Sequence, residues 1–252
     1  MTLKTSKKRL DQLLVERGLA SSREKAQALI LTGNVLVNDQ PQSKPGHSIL
    51  ESSEIRIRGQ DHPYVSRGGL KLEEALRVFR IEVLGRTALD VGASTGGFSH
   101  VLLLQGIAKV HAIDVGHNQM DWKIRQDPRV IVQEKVNARY LKFEQIGEKV
   151  DLIVMDVSFI SLEKIFPALM AFSKEETDWI TLIKPQFEVG REKVGRKGIV
   201  TSESDRIEAV ERVTLFAKGL GLIQHGLIES PITGTEGNKE YLAHWKIKEK
   251  KI

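Results

Sequence analysis

Four residues scattered through the chain carry charges suited to acid–base work on a poor nucleophile such as a hydroxyl: Lys71, Asp156, Lys184 and Glu240. Asp156 and Lys184 close the apolar runs Asp151-Leu152-Ile153-Val154-Met155-Asp156 and Trp179-Ile180-Thr181-Leu182-Ile183-Lys184, and Glu240 precedes the run that starts at Tyr241. Lys71 stands in the first turn of a predicted helix, an unfavourable place for a cation beside the helix dipole, so it is either exposed and indifferent or held for a purpose. A lysine acts as a base only when its pKa is lowered, and a second ammonium nearby lowers it because like charges resist coexisting. Carboxylates alongside hold the lysines in line while opposing that drop. Each residue alone reads most simply as a rim ion pair. Four of them along one edge of one sheet read as a catalytic group.

The second stretch with chemical content is Thr87-Ala88-Leu89-Asp90-Val91-Gly92-Ala93-Ser94-Thr95-Gly96-Gly97-Phe98-Ser99. An apolar run ends at a carboxylate, turns through small residues and opens into a helical pattern. Gly92, Gly96 and Gly97 carry no Cβ and let backbone approach a ligand closely. A dinucleotide fingerprint would want Gly-x-Gly-x-x-Gly, but Ser94 holds the middle position. Asp90 suits a cationic ligand better than a pyrophosphate; a tight strand-to-helix turn with no ligand is the plain alternative.

The elements that must position these residues alternate strand and helix. Strands are predicted at Val110-His111-Ala112-Ile113-Asp114, at Val130-Ile131-Val132, at the two runs above, and at residues 221–229 and 241–247. Asp114 comes 22 residues after Gly92, where a nucleotide-binding α/β fold holds a ribose by its hydroxyls. Asn137-Ala138-Arg139 would flank the base. A helix over 202–219 has Ser202 as N-cap and Asp205 at N3, closed by Gly219 and Gly221. The last two strands, joined by the polar stretch 230–239, make an antiparallel hairpin at the edge of a seven-stranded sheet. Residues 190–198 hold four basic side chains between glycines, which reads as a loop over the substrate or as a plain solvated loop.

Ahead of this lies a smaller module. Leu10, Leu13 and Leu14 share one helical face stopped by Gly18. Ser21 with Glu24 reads as a capping box for a helix with Ala26, Leu29 and Ile30 inward, ended by Gly33. Val35–Val37 is a strand, Asn38-Asp39 a turn, and Ile55-Arg56-Ile57-Arg58 a closing strand. The leading 86 residues hold 15 Lys and Arg against 10 Asp and Glu, while the remainder balances at 23 against 23. The whole surplus of +5 therefore precedes the glycine loop, as in a polyanion-binding module or a merely solvated surface. There is no cysteine, so disulfides and thiolate metal sites are excluded. No His, Asp and Glu grouping has metal-site spacing, and no metal is expected. No apolar run is long enough to span a membrane, and the basic start lacks the apolar core of a signal peptide, so the cytoplasm is the expected location.

Three resemblances attach to these residues. The 87–99 stretch resembles motif I of S-adenosylmethionine-dependent methyltransferases. Arg9-Leu10-Asp11-Gln12-Leu13-Leu14, Ser22-Arg23-Glu24-Lys25-Ala26 and Gly33-Asn34-Val35-Leu36-Val37-Asn38 resemble an S4 RNA-binding domain. Gly69-Leu70-Lys71-Leu72, Met155-Asp156-Val157-Ser158-Phe159, Ile183-Lys184-Pro185-Gln186-Phe187-Glu188 and Gly237-Asn238-Lys239-Glu240-Tyr241-Leu242 resemble the Lys–Asp–Lys–Glu tetrad motifs of FtsJ-type ribose 2′-O-methyltransferases. Taken whole, the chain resembles the haemolysin A (TlyA-like) family.

The resemblance implies a Rossmann-like, seven-stranded class I methyltransferase sheet at 67–252, a linker at 61–66 and a small α+β S4 domain at 1–60. It implies S-adenosylmethionine as cofactor, held by Asp90, Gly92, Ala93, Ser94, Thr95, Gly96, Gly97, Phe98, Asp114, Val115, Asn137, Ala138 and Asp156. It implies RNA, most simply ribosomal RNA or ribosomal subunits, as partner and substrate. Lys8, Arg9, Arg23 and Lys25 on the S4 helices, with Arg67, Arg191, Lys193, Arg196 and Lys197, are the candidate RNA contacts, made mainly to phosphates. A ribose 2′-hydroxyl is a poor nucleophile until its proton is drawn away. Lys184 is therefore assigned as base or hydroxyl-orienting cation, Asp156 and Glu240 as its positioners, and Lys71 as charge tuner and phosphate contact. Membrane lysis, as the family name implies, and a non-enzymatic ribosome-assembly role are the competing functions.

Overall fold

Leu10, Leu13 and Leu14 recur at helical spacing, and they are the face that helix α1 (Leu10–Glu16) buries in the computed structural model. Residues 6–20, 22–57, 62–234 and 237–247 are described. The chain divides into two units, Met1–Pro63 and Tyr64–Ile252. In the first, α1 packs with α2 (Arg23–Leu31), which turns Ala26 and Ile30 inward. Ser22 caps α2: its backbone is extended and its Oγ accepts from Lys25 N at 3.3 Å. The cap thus falls one residue beyond Ser21, which lies outside the described residues, as do Arg58 and residues 59–61.

Five short strands complete this unit. β1 (Lys7–Arg9) pairs antiparallel with β4 (Ser48–Leu50). β2 (Val35–Val37) pairs with β3 (Gln40–Gln42) and β5 (Ile55–Ile57). Asn38 and Asp39 both have positive φ, 48° and 64°, the backbone a tight two-residue hairpin requires. Pro41 is tolerated because β3 lies at the sheet edge, where a missing N–H costs little.

The second unit runs α3 (Gly68–Phe79), β6 (Thr87–Val91), α4 (Gly97–Leu104), β7 (Lys109–Asp114), α5 (Trp122–Arg125), β8 (Val130–Glu134), α6 (Phe143–Ile146), β9 (Val150–Met155), α7 (Phe166–Leu169), β10 (Ser173–Ile183), α8 (Pro185–Glu188), α9 (Glu203–Gly219), β11 (Leu222–Glu229) and β12 (Tyr241–Ile247). Its seven strands lie in the order β11-β12-β10-β9-β6-β7-β8. The five from β6 to β10 are parallel, and β12 inserts antiparallel between β10 and β11. Successive strand residues feed two cores on opposite faces. Ala88, Val110, Leu152 and Ile180 pack with α3 and α4, whereas Leu89, Ile113, Ile153 and Trp179 pack with α7 and α9. Burial on both faces is why these strands read as unbroken apolar runs. The strand order reverses between β6 and β9, and a crevice at the carboxyl ends of such neighbours is where an open α/β sheet takes its ligand.

Candidate active site

The loop that leaves β6 is shaped by close approach. Gly92 has φ +82°, and a Cβ there would lie 2.4 Å from the Asp156 carbonyl oxygen, so only glycine fits where the two strand ends converge. Gly92 N donates to Ile113 O at 2.9 Å, and Asp156 N to Val91 O at 3.0 Å, extending the sheet one step beyond each strand. Ser94 N donates to Asp114 Oδ2 at 2.8 Å, and Gly116 N to Asp114 Oδ1 at 2.6 Å. Asp114 is thereby fixed at the end of β7 by two backbone donors.

Two cavities open on this edge. The first, about 270 Å³, is lined by Gly92, Ala93, Ser94, Thr95, Gly97 and Phe98 together with Lys71, Asp156, Lys184 and Glu240; Arg67, Ser158, Thr233 and Gly234 are among its other lining residues. The second, about 510 Å³, is lined by Gly92, Ser94, Asp114, Val115, Asn137, Ala138 and Asp156, with Gln119 and residues 157–160 on its far wall. Gly92, Ser94, Asp156 and Ser158 belong to both. Neither cavity reaches Asp90 or Gly96. Gly96, at φ +90°, is the N-cap of α4. Asp90 is fully buried beneath the loop: its Oδ2 accepts from Ser99 Oγ at 2.6 Å and its Oδ1 has no partner. Burial, opposed in part by the Ser99 hydrogen bond, pushes this carboxyl up to about 7.

The four charged side chains meet as one run of alternating sign. Lys71 Nζ lies 2.6 Å from Glu240 Oε2 and 3.8 Å from Asp156 Oδ2, and Lys184 Nζ lies 2.6 Å from Asp156 Oδ1. Glu240 and Lys71 are almost wholly enclosed, with side-chain exposures of 3% and 9%, whereas Asp156 keeps 21%. The cation in the first turn of α3 is therefore held by carboxylates from two strand ends, which offsets its poor placement in the helix dipole. Glu240 contacts Lys71 and not Lys184, so its influence on Lys184 passes through Lys71 and Asp156. Among the described residues, no three His, Asp or Glu side chains gather to hold a metal ion.

The basic candidates are placed unevenly. Arg67 is exposed on the rim and donates to Thr233 O at 2.7 Å. Residues 190–198 form two short 3₁₀ turns, tied down where Asn238 Nδ2 donates to Gly198 O at 2.8 Å. Arg191, Arg196 and Lys197 are exposed there, whereas Lys193 is paired with Glu208 and Asp205 of α9. In the first unit Lys8 pairs with Glu16 at 2.9 Å and Glu51 at 3.4 Å, and Lys25 is exposed. Arg9 and Arg23 both reach the fully buried carboxylate of Asp11, at 2.9 and 3.0 Å.

Comparison with known proteins gives this geometry a family. The model of FtsJ-like methyltransferases matches residues 64–247, and that of the S4 domain residues 8–55. A 16S/23S rRNA (cytidine-2′-O)-methyltransferase, TlyA of Mycobacterium tuberculosis, is 45% identical over 92% of this chain and 87% of its own. Hemolysin A of Brachyspira hyodysenteriae is 41% identical over 95% of this chain and 100% of its own. The chain belongs to the TlyA-like family of S4-bearing, FtsJ-like methyltransferases. Among solved structures, a Streptococcus thermophilus protein provisionally named a hemolysin aligns with TM-score 0.76 and 42% identity, covering 97% of this chain and 90% of that one.

Two residues that line or brace the TlyA-like site have no role in the sequence reading. Ser158 accepts a hydrogen bond from Lys184 Nζ at 2.9 Å. Glu188 is buried and accepts from Ser161 Oγ at 2.7 Å and Leu162 N at 2.9 Å. Both lie inside motifs that carry the family resemblance, two residues after Asp156 and four after Lys184. That proximity was the available signal.

Proposed function

We propose that this protein transfers a methyl group from S-adenosylmethionine to a ribose 2′-hydroxyl of ribosomal RNA in the cytoplasm, with the S4 unit binding the RNA. The observation that carries the reading is the charged run Glu240–Lys71–Asp156–Lys184 on a cavity that shares a wall with the glycine-loop cleft. The Mycobacterium tuberculosis relative, an rRNA cytidine 2′-O-methyltransferase, supports the same substrate class.

The residues fit the cofactor. Gly92, Ala93, Ser94 and Thr95 line the smaller cavity with little side-chain bulk, and the larger cavity brings Asp114, whose oxygens can accept further hydrogen bonds from hydroxyls, close to Asn137 and Ala138. Asp114, Val115, Asn137 and Ala138 would hold its nucleoside, and Gly92 to Thr95 with Gly97 and Phe98 its amino-acid end. When bound, the cofactor supplies an electrophilic methyl group beside a sulfonium. The protein's own task is then to orient the sugar hydroxyl and draw off its proton. Lys184 Nζ, lining the smaller cavity, is the group that meets that hydroxyl. Asp156 holds Lys184 and Lys71 at its two oxygens, and Glu240 anchors Lys71. Arg67 at the rim and the exposed Arg191, Arg196 and Lys197 would meet phosphates. Alignment of nucleophile and methyl group can supply up to about 7–11 kcal/mol of the barrier reduction.

The test is incubation of ribosomal subunits with radiolabelled S-adenosylmethionine, followed by mapping of 2′-O-methylated positions. Lys184→Ala is expected to lose transfer while still binding cofactor. Transfer at the wild-type rate by that variant would remove Lys184 from the mechanism.

A further inference from the structure

Lys184 carries three N–H directions when charged, and the structure accounts for two of them. One points to Asp156 Oδ1 at 2.6 Å and one to Ser158 Oγ at 2.9 Å. The stem is enclosed, with 11% of the side chain exposed, so the amine has little freedom to swing. One tetrahedral direction is left for an incoming group, and Lys184 lines the smaller cavity together with Ser158. Resting on the methyltransferase reading above, we propose that Ser158 is a positioning residue. With Asp156 it fixes the rotation of the Lys184 amine, so that the remaining N–H, or the lone pair once that proton has left, faces the ribose hydroxyl.

Three features make Ser158 more than a surface hydroxyl. Its loop is anchored at both ends, by Asp156 N on Val91 O at 3.0 Å and by Ser161 and Leu162 on Glu188. It belongs to the wall shared by both cavities, with Gly92, Ser94 and Asp156. Its chemistry also differs from that of Asp156. An ionised carboxylate favours the charged lysine by its own negative charge, whereas a neutral hydroxyl does not. The Ser158 oxygen accepts an N–H from the ammonium and from the neutral amine alike, so it holds Lys184 in one rotation before and after proton loss and leaves the lone pair to the ribose hydroxyl.

The test uses the full-length protein on ribosomal subunits, comparing wild type with Ser158→Ala and Ser158→Thr. The alanine variant is expected to lose about 10- to 100-fold in kcat, the scale of a small misplacement of a reacting group. KM for RNA and for S-adenosylmethionine should stay unchanged, and threonine, which restores the oxygen, should recover most of the rate. The fall should appear on the plateau of the pH–kcat profile. An unchanged plateau with the acidic limb moved to lower pH would mean that the hydroxyl only stabilises the charge of Lys184, which overturns positioning. Wild-type kcat in Ser158→Ala overturns it too, while leaving the methyltransferase reading intact. A wild-type protein that methylates no ribose takes both readings down together. Thermal unfolding of each variant shows that the fold is kept, as expected for an exposed loop position.

Discussion

Asp90 is a carboxyl group sealed under the glycine loop with one oxygen unpartnered, and burial raises it to about 7. An unfolded chain would release that proton near pH 4. Between those two values the folded state holds a proton that the unfolded state does not. The stability Asp90 contributes is therefore complete below about pH 4 and is lost as pH rises through 7. Asp90→Asn, which never ionises, should unfold at a higher temperature than wild type at pH 8, with the gap closing toward pH 5. Calorimetric scans at the two pH values check this, and an equal gap at both would show that ionisation plays no part. At this scale the sequence disclosed what each strand end carried but not how its neighbours would meet it. Lys71, Asp156, Lys184 and Glu240 were legible because each abuts an apolar run or helix whose end is readable. Which carboxylate faces which ammonium was not, since Glu240 reaches Lys71 only through the antiparallel insertion of β12. Asp90 reads as a ligand for a cation, and only packing shows it lying beneath the loop instead of on a cavity wall.

At the scale of elements, the turn after β9 and the short helix α8 behave as one piece because Glu188 joins them. Its carboxylate accepts from Leu162 N and Ser161 Oγ, and its backbone oxygen accepts from Arg212 Nη1 at 3.1 Å. Arg212 in turn pairs with Glu163 at 2.7 Å. Asp156 and Lys184 therefore sit on segments that are cross-braced a few residues beyond them. Glu188→Ala strands a buried amide and should lower stability by about 1–3 kcal/mol, the cost of an unmet buried donor. Glu188→Gln keeps an acceptor for Leu162 N and should recover much of it. Denaturant unfolding distinguishes the two variants. Elements with dense apolar signal, such as β7, β9 and α9, were readable within a residue or two. β10 begins at Ser173 instead of Trp179 because Lys174 to Thr177 are polar and the register shifts between Ser173 and Asp178. β1, β3 and β4 were invisible because three-residue strands made of Lys7, Gln40, Pro41 and Ser48 leave no pattern.

For the whole molecule, charge and connectivity matter more than any single pairing. The positive surplus precedes the catalytic sheet, and in the first unit Asp11 gathers Arg9 and Arg23 while neutralising only one of them. Replacing Arg9 and Arg23 together by alanine should weaken RNA binding and reduce the slope of log affinity against log salt by about one, because Asp11 already offsets one of the two guanidinium charges. Binding of S-adenosylmethionine should be unaffected. Fluorescence anisotropy across a salt series measures the first, and calorimetric titration the second. Connectivity acts in time. Translation delivers Lys71, Asp156 and Lys184 before it delivers Glu240 and β12, yet β12 must slot between two strands already made. A nascent polypeptide therefore cannot seat Lys71 against Glu240 until synthesis has passed β12, so the charged run is closed last by the strand that enters the sheet from between its neighbours.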